Sequence, residues 1–301
     1  MILQKTLINP LTLIGKGLHT GSFCVLKFIP AEVNHGILFK INGTILPAHF
    51  KYVINTRRAV TLGKNGCTIQ TVEHLLSALS GMGITNLLID AEGSEIPILD
   101  GSAKSYCDRF LEAGITEQDA PVRILSVDRT IAYSNSESGY SIQLSPYDGL
   151  KISYTFMYKQ RPLQKFSFDL TADSYYDVIS GARTFCFVKD IEYLHKQNLI
   201  RGAEMESGFV VLDEEGCTDA LKKRFVLPPD ETWIRHTKPF KTASMIPSRY
   251  ENEMVRHKIL DLIGDLSLSG YRIGAHVNAC GTGHYENIEM LKILLAPDVA
   301  R

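Results

Sequence analysis

Apolar side chains at alternate positions mark the opening of the chain as strands. "TLINPLTLIG", "FCVLKFIP", "GILFKI" and "AVTLG" are short runs of this kind, each bounded by Gly, Pro or Asn. At "TVEHLLSALSGMG" the period changes. Val72, Leu75, Leu76 and Leu79 recur at helical spacing, and Gly81 and Gly83 supply the stop. A strand "NLLIDA" and a turn "EIPILDGSAK" follow, with Ser102 the expected cap of a helix "AKSYCDRFLEAG" that ends at Gly114.

The polar stretch "ITEQDAP" (115–121) is then the best candidate for a domain boundary. It divides the chain into an N-terminal α+β unit, residues 1–116, and a C-terminal α+β unit, residues 122–301. After it come the strands "SIQLS", "KISYTFMY" and "KFSFDL", and a strand–helix–strand insert over about 185–214. The helix "VRHKILDLIGDL", the strand "IGAHVNAC" and a last helix from about Glu286 to Leu295 complete the pattern. Strands, helices and strands thus occur twice, which is α+β architecture in each half, although no sequence repeat relates them. The stretch 219–248 stands apart, with four prolines, several basic residues and the only tryptophan. Such a segment is either a lid or binding loop, or a disordered surface insertion.

Composition narrows the classes. The chain has 301 residues, 45% hydrophobic and 22% charged, with 32 basic against 33 acidic side chains. That balance argues against general affinity for nucleic acid or an anionic membrane. The six cysteines have no C-x-x-C pair, no run approaches a membrane span, and the start has no apolar signal core. The expectation is a reduced, cytoplasmic protein without stable membrane insertion, which would have to reach any lipid substrate from the water side.

Candidate chemistry begins in "VRHKILDLIGDL". Val255, Ile259, Leu262, Ile263 and Leu266 share one helix face, and His257, Lys258, Asp261 and Asp265 lie opposite, with Gly264 beside them. Two readings fit. The polar side faces water, as on an ordinary amphipathic helix. Alternatively, His257 and Asp261, one turn apart, grip an ion as the paired histidines of H-E-x-x-H do. A third ligand is available in His74, which lies opposite the apolar stripe of its own helix beside Glu73. Two histidines and one aspartate would leave a fourth position open, the arrangement of hydrolytic zinc sites. In "GTGHYEN", Gly281 and Gly283 bracket a turn that sets His284 near a helix start.

These segments together resemble the UDP-3-O-acyl-N-acetylglucosamine deacetylase (LpxC) family, zinc enzymes of lipid A synthesis in Gram-negative bacteria. "GKGLHTG", "TVEHLLSAL", "EIPILDGSAK", "ARTF", "VRHKILDLIGDLSLSG" and "GTGH" carry the resemblance, in family order across nearly the whole chain. It implies two similarly folded domains, each with small sheets layered against helices, and an active site between them. By resemblance His74, His257 and Asp261 are zinc ligands (Fe²⁺ suits the same donors) and Glu73 is the general base. His284 is the catalytic histidine, Asp265 the aspartate that orients and charges it, and Thr184 a group near the developing oxyanion. Lys258 contacts substrate. The insert after Thr184 resembles the element that forms the family's acyl-chain passage, with Phe185, Phe187, Ile191 and Leu199 either its lining or part of the core. The implied partner is a small molecule, an acylated UDP-amino sugar.

Two departures stand out. Residues 219–248 lengthen a connection that is short in family members. A basic residue common two positions before "GH" in the family is absent here, where Gly281 and Thr282 stand. The contact to the nucleotide phosphates is then either missing or supplied elsewhere, with Lys222, Lys223 or Arg224 as candidates. The competing readings are a zinc amidohydrolase of another N-acyl sugar and a catalytically silent binding module of the same fold.

Overall fold

A computed structural model describes residues 1–212, 234–237, 240–244 and 247–296. Within the first half the strands are β1 (Leu3–Leu7), β2 (Leu11–Lys16), β3 (Phe23–Pro30), β4 (Ile37–Ile41), β5 (Thr44–Pro47), β6 (Val53–Asn55), β7 (Thr61–Lys64), β8 (Cys67–Gln70), β9 (Leu87–Glu92) and β10 (Ile115–Pro121). The helices are α1 (Glu73–Gly81) and α2 (Lys104–Ala113). The second half holds β11 (Ile124–Ser126), β12 (Ile131–Ser134), β13 (Ser141–Ser145), β14 (Leu150–Tyr158), β15 (Arg161–Asp169), β16 (Phe185–Phe187), β17 (Phe209–Leu212), β18 (Ile234–Thr237), β19 (Phe240–Ala243) and β20 (Arg272–Cys280). Its helices are α3 (Ala172–Ser174), α4 (Ile191–Lys196), α5 (Glu253–Ser267) and α6 (His284–Leu294).

One topology is used twice. The first sheet runs β2-β3-β9-β4-β5 and the second β12-β13-β20-β14-β15, with β11 on β20. In each, two hairpins form and a later strand inserts between them, antiparallel to one neighbour and parallel to the other. The inserted strand is doubly flanked and reads accordingly. Ile89 sits opposite Phe28 and Phe39, and Val277 opposite Leu144 and Ile152. All six side chains are buried, the apolar run expected of an interior strand. A helix precedes each inserted strand, α1 and α5 respectively, and another follows it, α2 and α6. The repeat is invisible as sequence identity because topology depends on apolar period and turn placement, not on which aliphatic side chain fills a position.

Each half also carries an insert between its second hairpin and its central helix. In the first this is the three-stranded sheet β6-β7-β8; in the second it is the sheet β16-β17-β19-β18 with α4. The expected strand–helix–strand element over 185–214 is therefore present. The sequence expectation of an irregular stretch over 219–248 is corrected in part, because Ile234–Thr237 and Phe240–Ala243 form a hairpin that extends this sheet through β17. Lys222, Lys223 and Arg224 lie outside the described residues.

The boundary stretch 115–121 is itself a strand, β10, paired antiparallel with β1 in a two-stranded ribbon. Its polar composition hid it, since a ribbon edge needs ladder hydrogen bonds more than an apolar face. Gln118 fastens it further, accepting from Asn86 Nδ2 at 2.7 Å and donating to the Ala31 carbonyl at 2.9 Å. Ser102 caps α2 loosely: its Oγ accepts from the Lys104 amide at 3.2 Å, while the N-cap residue itself is Ala103. Gly114, at φ +79°, ends α2 as its position predicts.

Helix α1 packs against α5, which also meets β14, β15 and β20. Almost every residue of α5 is buried, its polar row included. Gly264 is the point of closest approach. A β-carbon there would lie 2.1 Å from the Glu73 carbonyl oxygen, so the glycine lets the two helices meet.

Candidate metal centre and active site

Glu73 and His74 open α1, and the turn before them is held by a buried carboxylate. Glu95 accepts from the His19 amide at 2.9 Å, the Thr20 amide at 2.7 Å and the Thr71 hydroxyl at 2.9 Å. Thr71 has φ +60°, a conformation a β-branched residue adopts only under constraint. Glu95 thus ties the "GKGLHTG" loop to the start of α1. A β-carbon on Gly17 would come within 2.3 Å of the Glu95 carboxylate, which accounts for the glycine in that loop. Sequence reasoning gave Glu95 no role, although an acidic residue in the otherwise apolar run "EIPIL" was a visible signal.

On α5, His257 and Asp261 fall one turn apart, and His74 faces them across the helix pair. His257 Nε2 lies 3.3 Å and His74 Nε2 3.6 Å from Asp261 Oδ1. The two imidazoles are edge-to-face with centroids 5.0 Å apart. One donor atom from each of the three residues falls within 4.8 Å of the others, and all three residues are buried. Metal–ligand bonds of about 2.0–2.1 Å at a tetrahedral centre separate the ligand atoms by roughly 3.3 Å. The trio therefore fits a divalent ion.

The surroundings leave the right atoms free. The Ala182 carbonyl accepts from His257 Nδ1 at 3.1 Å, which keeps the proton on Nδ1 and the Nε2 lone pair inward. Lys258 Nζ occupies Asp261 Oδ2 at 2.8 Å, so Oδ1 remains for a cation. His74 Nδ1 is buried without a hydrogen-bond partner among the described residues. Burial pushes the His257 imidazole down to about 4, keeping it neutral as a ligand must be. At Asp261 burial pushes the other way, but His257 and Lys258 outweigh it and hold the carboxyl well below its usual range. Burial would lower Lys258 as well; its contact with Asp261 dominates and raises it.

A carboxyl–imidazole pair sits alongside. Glu73 Oε2 accepts from the Val60 amide at 3.0 Å, and Oε1 lies 3.7 Å from His284 Nε2. His284 is the first residue of α6, and its Nδ1 donates to Asp265 Oδ2 at 2.8 Å. Asn287 donates to the same oxygen at 2.8 Å; the sequence reading missed it, though it lies one turn after His284. Burial raises the Glu73 carboxyl, with His284 and His74 opposing. For His284 burial is a lowering influence, overcome by Asp265 and Glu73, and the imidazole is raised to about 9. One carboxyl is thus inclined to accept a proton and one imidazole to stay charged, the divergence that acid–base pairs need.

A cleft of about 490 Å³ runs past His257, Lys258, Asp261 and His284 to Thr184 and the insert. The Thr184 amide donates to the Gly101 carbonyl at 2.7 Å, which pins the residue at the cleft wall. Phe185, Phe187 and Ile191 line its apolar arm. Leu199 does not: it packs into the insert's own small core with Val188, Ile191 and Leu194. Its neighbour Ile200 lines the cleft instead, at φ +51°, a turn that the sequence did not reveal. Arg58, also missed, adds an exposed guanidinium to the wall.

The stretch "ARTF" is held from behind by a buried ion pair. Arg183 Nε donates to Glu253 Oε1 at 2.7 Å and Nη1 to Ser244 Oγ at 2.9 Å. The arginine fixes both Ala182, which orients His257, and Thr184.

Two copies of one α+β topology, joined over a buried two-histidine, one-aspartate centre beside a Glu–His–Asp relay, define the class of this molecule. The chain belongs to the UDP-3-O-acyl N-acetylglycosamine deacetylase (LpxC) family, whose model matches residues 4–238 and 237–296. It is 37% identical over 300 residues to the UDP-3-O-acyl-N-acetylglucosamine deacetylase of Thermodesulfovibrio yellowstonii, covering 98% of this chain and 92% of the relative. Against the enzyme of that name from Stenotrophomonas maltophilia it is 34% identical, with 100% and 92% covered. It is also 35% identical to the bifunctional enzyme LpxC/FabZ of Chlorobaculum tepidum, matching 98% of this chain but 64% of that longer protein.

Proposed function

We propose that this protein removes the N-acetyl group from a UDP-3-O-acyl-N-acetylglucosamine, in the synthesis of lipid A, with Zn²⁺ held by His74, His257 and Asp261. The support is the names its relatives carry and one observation. Three donor atoms from distant segments converge within 4.8 Å, with Glu73 and His284 3.7 Å apart beside them. When bound, the ion supplies Lewis-acid activation of water and of the scissile carbonyl.

The chain's own groups do the rest. Glu73, its pKa raised by burial, accepts the proton of the attacking water at its carboxylate. His284, charged through Asp265, faces the oxygen on which negative charge develops, and the Thr184 hydroxyl adds a donor there. The leaving amine needs a proton, which either Glu73 or His284 holds at that stage. Lys258 keeps Asp261 ionised and presents its stem to the cleft. Phe185, Phe187 and Ile191 receive the acyl chain. Arg58 supplies a positive charge for the nucleotide phosphates where the glycine turn before His284 has none. No helix among the described residues is long and apolar enough to cross a membrane, and the enzyme meets its lipid-tailed substrate from the cytoplasm.

Acetate release from the UDP-linked substrate tests this. Chelated protein should be inactive, recover with one equivalent of Zn²⁺, and act poorly on simple N-acetyl sugars. Full activity after metal removal, or equal turnover of an unacylated N-acetyl sugar, would refute it.

A further inference from the structure

Thr184 is held through its backbone and its methyl alike. Its amide donates to the Gly101 carbonyl at 2.7 Å, and its carbonyl accepts from the Phe209 amide at 3.1 Å. The methyl is seated between two glycines. A β-carbon on Gly101 would lie 3.1 Å from Thr184 Cγ2, and one on Gly208 would lie 3.2 Å from it. β-Branched side chains are stiff at χ1, so seating the methyl sets the hydroxyl as well. Gly101 is the contribution of the first half to this grip. It has φ +80°, and a β-carbon there would also come within 2.2 Å of the Ser207 carbonyl oxygen. The turn 99–102 therefore lies flush against the second half.

Asp100 holds that turn in place. Its Oδ1 accepts from the Ser102 amide at 3.1 Å and from the Ser102 hydroxyl at 2.9 Å. Its Oδ2 pairs with Arg249 Nη2, from the second half, at 2.7 Å. Arg249 Nη1 donates to the Gly181 carbonyl at 3.0 Å and to Ser102 Oγ at 3.2 Å. The two side chains are 19% and 27% exposed, too enclosed for a surface pair of little consequence. Burial pushes the Asp100 carboxyl up, but Arg249 and Ser102 outweigh it and hold the group below its usual range. Neither Asp100 nor Arg249 lines the cleft.

We propose that Asp100 is a positioning residue for the deacetylation. Paired with Arg249, it locks the turn 99–102 across the two halves, and the Gly101 carbonyl so fixed holds the Thr184 hydroxyl where negative charge develops. This rests on the role given to Thr184 above. A donor misplaced by about 1 Å can cost about 10²-fold in rate, so a contact outside the cleft can govern turnover without touching substrate.

Two measurements on zinc-loaded variants test it: hydrogen exchange at the Thr184 amide, referred to that of Val277 inside β20, and kcat and KM for acetate release. Asp100→Ala should speed Thr184 exchange about 10-fold relative to Val277. It should also lower kcat by about 10–100-fold with KM nearly unchanged. Asp100→Asn, which keeps an acceptor for Ser102 but not the charge, and Arg249→Lys should each fall between. In a Thr184→Val background Asp100→Ala should cost less than about 2-fold, because two changes acting through one group do not add. Three results would overturn the proposal: parental Thr184 exchange in both Asp100 variants, a kcat that stays put or a loss carried by KM, or the full Asp100→Ala loss persisting without the Thr184 hydroxyl. Exchange that quickens equally at Thr184 and Val277 would make Asp100 a residue of the fold alone and also refute it. A parent that releases no acetate, with the exchange effect intact, would instead sink the deacetylase reading and leave the hold on Thr184 standing.

Discussion

Glu73 and His284 share one small space, and their opposed proton affinities follow from what surrounds each. Burial raises the carboxyl; Asp265 and Glu73 raise the imidazole to about 9 in spite of burial. Glu73→Ala should retain its metal, because the three donors are untouched, and lose about 10²–10⁴ in kcat. Metal analysis beside turnover checks both halves of that statement. The sign of the Asp265 effect is equally definite. A group raised to about 9 stays charged below that pH and loses its proton as pH climbs through it. Asp265→Asn removes the main raising influence, so the alkaline limb of the kcat/KM profile should move to lower pH; an unmoved limb would deny Asp265 this role. At this scale the sequence was legible where residue type and chemistry coincide, as at His74, His257 and Asp261. Leu199 falls to the core-packing alternative, and Ile200 was overlooked because a helical count cannot register the left-handed turn at φ +51°.

Helix α5 shows a pattern that left two settings open, water or a shared ion, between which packing decides. Its two faces segregate as periodicity predicts, yet the polar face is not wet. It meets α1 through Gly264. Adding one methyl there should force the helices apart, at a cost of about 1–3 kcal/mol of overpacking, and Gly264→Ala should therefore lose zinc affinity along with stability, as followed by denaturation and metal titration. The Arg183–Glu253 pair is a different kind of joint. Both side chains are about 1% exposed, so Glu253→Ala takes the carboxylate away from a buried guanidinium. The expected loss is about 3–5 kcal/mol, and because Arg183 fixes Ala182 and Thr184, kcat should fall in the protein that still folds. Ribbon β1–β10 was missed at this same scale because its strands are specified by ladder hydrogen bonds and by Gln118, neither of which leaves an apolar alternation to find.

Across the whole molecule the candidate metal centre lies between topological repeats, with His74 from the first and His257 and Asp261 from the second. An ion bound at about 1,000 times its dissociation constant stabilises the folded state by roughly 4 kcal/mol. Chelation should therefore lower Tm as well as abolish turnover, and His74→Ala should show the lower Tm even in excess zinc. Equal melting of metal-loaded and metal-free protein would mean that the ion does not bridge the halves.

The α+β pattern, the apolar stripes of α1 and α5, and the donor residues themselves were all determined by the chain read alone, because periodicity and side-chain chemistry are local properties. Tertiary structure alone decided that two helices nearly two hundred positions apart in the chain touch at a glycine, that a polar face is buried, and in what strand order the repeated α+β pattern is threaded. Those outcomes depend on which surfaces exclude water together, and no single segment carries that information.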